Sequence, residues 1–233
     1  KCEVHVPFRD IAEVIIKKDL LQLFGPSRSI AIYDRMLDEC DERYRDLKRR
    51  IIGIILVYVD DIEVVSHIIG KYCNGGEIAG IIYDVLHKSC SSAIIEWMLS
   101  HGMAETAKDI MLKVNDIDLL SNVIDNHAND VELMKWLIGS YCFGNPLSVS
   151  LAKKTTNMEI IRLLAEKSPS LNGEAASILW RKTNGDRKVE ELLFQSYTKG
   201  NEEIASLMLS KATTNMEKCV ALSSGASHDE IVR

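Results

Sequence analysis

The chain has 233 residues, 46% of them hydrophobic and 27% charged, with a formal net charge of −6. That balance argues against disorder and leaves room for one or two packed domains. The acidic surplus gives no general attraction to nucleic acid or to anionic lipid.

Little Pro and few aromatics favour helices over strands. After a lead-in that breaks at Pro7, residues 10–24 carry Ile11, Val14, Ile15, Leu20, Leu21 and Phe24, a helical spacing. Gly25-Pro26-Ser27 ends that helix. Residues 29–50 read as a second, longer helix. Its polar side, residues 38–50, has acids first and bases last, the order the helix dipole prefers. Ile51 to Val59 is apolar on all sides and rich in β-branched residues. Periodicity alone does not separate strand from helix here, and with no partner strand evident a buried helix is expected. Residues 1–59 together form an N-terminal helical cap.

From Asp60 onward a template recurs: a polar cap, often an acid, two apolar residues, a gap, then two or three more apolar ones. It is anchored at residues 63, 93, 118, 132, 159, 188, 203 and 230, at intervals of 30, 25, 14, 27, 29, 15 and 27. Each interval is near 14 or near its double. A helix of about ten residues plus a short turn needs about 13–15. The pentapeptide TTNME occurs twice, at Thr155–Glu159 and Thr213–Glu217. Units too small to bury their own apolar face, repeated at this period, imply a stacked solenoid. Residues 60–233 are expected to form one continuous array.

The clearest copy is Asn145–Ser168. Pro146-Leu147 opens a short helix through Leu151-Ala152, and Thr155–Glu159 makes a polar break. Asn157 and Glu159 sit where the free N–H groups of a second helix, Ile160–Leu164, need an acceptor and a negative charge. This unit resembles an ankyrin repeat, as do Ala175–Phe194 and Met216–Val232 more loosely. Thr-Pro-Leu-His is not intact, and the interval is shorter than that family's. The resemblance implies helix pairs with short or absent β-fingers, and use in protein recognition.

Site chemistry is sparse. Six cysteines are scattered with no CxxC pair, which fits reduced, intracellular usage in cytoplasm or nucleus. No signal peptide is visible, and the longest apolar run is too short to cross a bilayer. His87 and Cys90 could share a helix face, but no second pair with zinc-like spacing follows, so no metal is expected. His101 and His127 fall at helix ends, where the dipole favours a cation. No GxSxG, HExxH, Walker A or GxGxxG spacing occurs. The chain is expected to be no enzyme and to hold no cofactor or small-molecule ligand.

The basic run Arg43, Arg45, Lys48, Arg49 and Arg50 is the strongest electrostatic feature. Preceding acids make it a salt-bridged, solvated helix face, and the runner-up is a patch for phosphate or an acidic partner. Trp97, Trp136 and Trp180 lie on apolar stripes, where core packing is the default. If exposed, Trp97 and Trp136 become anchors for a protein partner. The expected fold is all-α: a solenoid of short antiparallel helix pairs behind an N-terminal cap. The expected function is a non-enzymatic protein-interaction module or adaptor. The alternatives are a nucleic-acid-associated helical repeat using residues 43–50 and an unrecognised enzyme.

Overall fold

The computed structural model describes residues 25–40, 45–74, 76–86, 90–141, 146–167, 173–183 and 185–196. Among these residues every regular element is a helix and none is a strand. In chain order they are α1 (Pro26–Asp38), α2 (Arg45–Tyr58), α3 (Ile62–Tyr72), α4 (Ile78–Tyr83), α5 (Ser92–Ser100) and α6 (Ala104–Val114). There follow α7 (Ile117–His127), α8 (Val131–Ser140), α9 (Leu147–Lys154), α10 (Met158–Glu166), α11 (Gly173–Lys182) and α12 (Arg187–Ser196). The helix expected over 10–24, the anchors at 203 and 230 and the second TTNME lie outside the described residues.

Side-chain caps mark where six of the described helices begin. Asp61 accepts from the N–H of Glu63 and Val64, Ser91 from Ile94, Asp130 from Leu133 and Asn157 from Glu159. Asp116 and Asp186 do the same for α7 and α12. Each cap satisfies donors that the first helical turn leaves open. Burial then follows in fixed steps. After Asp61 the buried side chains are Val64, Val65, Ile68 and Ile69; after Asp130 they are Leu133, Met134, Leu137 and Ile138. Asn157 is followed by Ile160, Ile161, Leu164 and Ala165 at the same steps. A period of 3.6 puts these four on one stripe. Burying each such aliphatic side chain contributes about 1.5–3 kcal/mol.

The N-terminal boundaries differ from the expected ones. Gly25 takes φ 76°, a left-handed conformation open to glycine, and Pro26 is the first residue of α1. That helix stops at Asp38, where the Glu39 N–H closes onto the Arg35 carbonyl. The long helix over 29–50 is therefore two. The basic run and the apolar run instead share α2, whose residues 51–57 are all buried. A helix enclosed on all sides needs apolar residues all round, so the uniform run was its signature.

By its own contacts the chain divides into two compact units, residues 1–120 and 121–233, with the division inside α7. In the first, α1 packs on α2 and α3, α2 on α3 and α4, α3 on α5, and α5 on α6. In the second, α8 packs on α10, α9 on α10 and α11, α10 on α11 and α12, and α11 on α12. Next-but-one packing thus recurs within each unit, in α1–α3–α5 and α2–α4 and in α8–α10–α12 and α9–α11.

Polar contacts follow the same order. Asp60, before α3, accepts from Ser92 Oγ at 2.8 Å and from the Ala93 N–H at 3.0 Å at the start of α5. The Lys182 ammonium, ending α11, donates to the carbonyls of Ala152, Lys153 and Thr155 at the end of α9. These carbonyls have no partner within their own helix, and the ammonium supplies one.

Candidate functional site

The basic segment opens α2. Arg43 lies outside the described residues. Arg45 and Arg50 are exposed, while Lys48 and Arg49 are half-buried. The Arg49 guanidinium reaches Asp84, which caps the end of α4, at 3.2 Å. The Lys48 ammonium lies 5.2 Å from the centre of the Tyr72 ring, within cation–π range. The charges therefore pair between helices and not along one long face, as the expected single helix had implied. The bend at Glu39 and Cys40 interrupts that expected helix.

Tyr72 belongs to the densest polar cluster among the described residues. Its hydroxyl lies 2.9 Å from Asp34 Oδ1 and 2.9 Å from Asp38 Oδ1, so the last turn of α3 faces α1. His67 Nε2 lies 2.9 Å from Asp34 Oδ1. The Lys71 ammonium bridges Asp34 at 3.0 Å and Asp38 at 3.2 Å. Burial raises the Asp34 carboxyl pKa, but hydrogen bonds from Lys71, His67 and Tyr72 together hold it below the ordinary value. Hydrogen bonds from Tyr72 and Lys71 lower that of Asp38. Burial first, then the carboxylates around it, push the Tyr72 phenol up to about 12. Contact with Tyr72 and then Asp34 raises Lys71 above the usual lysine range.

A smaller version joins α4 to α6. The Tyr83 hydroxyl donates to Asp109, and the Lys113 ammonium sits 3.8 Å from the Tyr83 ring centre and 3.5 Å from Asp109. In the second unit Lys154 pairs with Asp125 at 3.2 Å, Lys153 with Glu174 at 2.8 Å and Arg162 with Asp186 at 2.6 Å. The last of these ties α10 to the cap of α12. Local spacing gives no sign of these links, because the partners are one helix pair apart. Asp34 and His67, for instance, are separated by 33 residues.

An activated base or nucleophile needs a pKa near neutrality. Here Tyr72 and Lys71 are pushed the other way, and burial raises the Cys73 thiol to about 11 and the Cys90 thiol to about 12. Cys90 lies in the non-helical stretch before α5. His87 is outside the described residues. Among the described residues no three His, Cys, Asp or Glu side chains converge as metal ligands.

The tryptophans divide. Trp97 is in the core, 9% exposed, with its ring stacked on His101 at 4.2 Å between centres. His101 caps the end of α5 with Nδ1 2.8 Å from the Trp97 carbonyl. Trp180 is buried. Trp136 is half-buried on α8 and meets Tyr141 edge-on at 6.0 Å. Along the outer face of α1 runs a shallow groove of about 570 Å³ lined by Ala31, Ile32, Arg35, Met36 and Glu39. No helix among the described residues is long and apolar enough to cross a membrane. No protein-family model matches the chain, and neither a curated protein nor a solved structure matches it.

Proposed function

We propose that the chain is a non-enzymatic protein-interaction module or adaptor, built as a degenerate ankyrin-like solenoid of short antiparallel helix pairs. Residues 1–59 are its cap and 60–233 its repeat array. The observation that carries this reading is next-but-one packing of helices, as with α1, α3 and α5 and again with α8, α10 and α12. A helix of about ten residues does not bury its stripe alone, and stacking successive pairs covers it. Such stacks recognise partners through loops and exposed helix faces.

Arg45, Arg50 and Trp136 keep exposed surface, and we assign them to the partner. Lys48 and Arg49 are engaged within the chain, which weakens the case for a phosphate track. The raised thiol and phenol pKa values weaken the case for an enzyme. Cys73 and Cys90 form no disulfide among the described residues, consistent with an intracellular setting.

The test is affinity capture from the native cell with the full chain as bait, at two ionic strengths, read by mass spectrometry. The expected result is a defined protein partner at both, with recovery reduced by Trp136→Ala or Arg45→Glu. Nucleic acid recovered with a steep salt dependence would move the basic segment to the alternative reading. Recovery of abundant chaperones alone, at every salt, overturns the proposal.

A further inference from the structure

We draw no further inference here: the strongest candidate, the shallow groove along the outer face of α1 lined by Ala31, Ile32, Arg35, Met36 and Glu39, carries nothing because nothing among the described residues shows what covers it.

Discussion

The side-chain oxygen of Asn129 accepts the backbone N–H of Thr156 at 2.8 Å, across 27 residues of chain. The same oxygen takes the hydroxyl of Thr155 at 3.2 Å and that of Thr156 at 3.3 Å. Thr155 is fully buried, and its own oxygen accepts the Asn157 N–H at 3.2 Å. One amide thus sets the bend between α9 and α10 and, through Thr155, the cap of α10. Asn129→Leu removes this acceptor from the Thr155 hydroxyl and the exposed Thr156 groups and is expected to cost about 0.5–1.5 kcal/mol. Asn129→Asp keeps the oxygen and should cost far less. Urea unfolding of both variants decides the matter, and equal losses would refute the assignment.

Glycine substitutions should split by helix. A Cβ on Gly53 would lie 2.8 Å from the Ile81 carbonyl oxygen and 2.9 Å from Val85 Cγ2, so α2 meets α4 through a missing side chain. A Cβ on Gly70, in α3, would meet nothing within 4 Å. Helix propensity favours Ala over Gly by about 0.5–1 kcal/mol at either site. At Gly53 the clash with backbone reverses the sign, and overpacking costs about 1–3 kcal/mol. Thermal unfolding should therefore show Gly70→Ala above the parent and Gly53→Ala below it. A rise in both would mean that α2 and α4 are not held this close.

The α1–α3 cluster carries a pH signature. The Asp34 and Asp38 carboxyls titrate lower folded than unfolded. Their contribution is present above the unfolded value of about 4 and is lost as pH falls through the folded values. Lys71 and Tyr72 titrate higher folded than unfolded, so their contribution is present below about 10 and is lost as pH rises beyond it. Between pH 5 and 9, on the order set by those values, the shifts of these four groups should leave stability flat. The double variant Asp34→Asn, Asp38→Asn should shallow the acid limb and, because the same carboxylates help raise Lys71 and Tyr72, shallow the alkaline limb as well. Urea midpoints across pH 3–11, a range spanning about one unit beyond each limit, are the measurement. An unchanged acid limb would remove the cluster from the stability of this unit.

Local devices were legible in the residues, and distant pairs were not. Asp61, Asp116, Asp130, Asn157 and Asp186 cap their own helices, so a cap followed by a two-plus-two apolar stripe marks a start without knowledge of the fold. The one short interval between such starts in mid-chain, from 118 to 132, places α7 and α8 in immediate succession. The division between the two compact units falls inside α7. The break after Asp38 was missed because the charged stretch through residue 50 keeps a helical pattern across it. The cluster around Tyr72 was invisible for a different reason. Its members come from three helices, and only folding brings Asp34 to Lys71 and Lys48 to Tyr72.

Ser148 on α9 and Ser177 on α11 are buried, and neither hydroxyl has a hydrogen-bond partner among the described residues. The two helices pack against each other, and small residues permit that approach. A buried hydroxyl without a partner carries a desolvation cost of about 1–3 kcal/mol. Ser148→Ala and Ser177→Ala remove that cost, keep the small volume and raise helix propensity slightly. Each is expected to raise Tm, by about 2–4 °C per kcal/mol gained. Ser148→Leu adds volume at a fully buried position and should lower it. The order Ala above Ser above Leu separates an orphaned hydroxyl from one held by an ordered water. In the second case Ala would lose a bridging contact and fall below the parent.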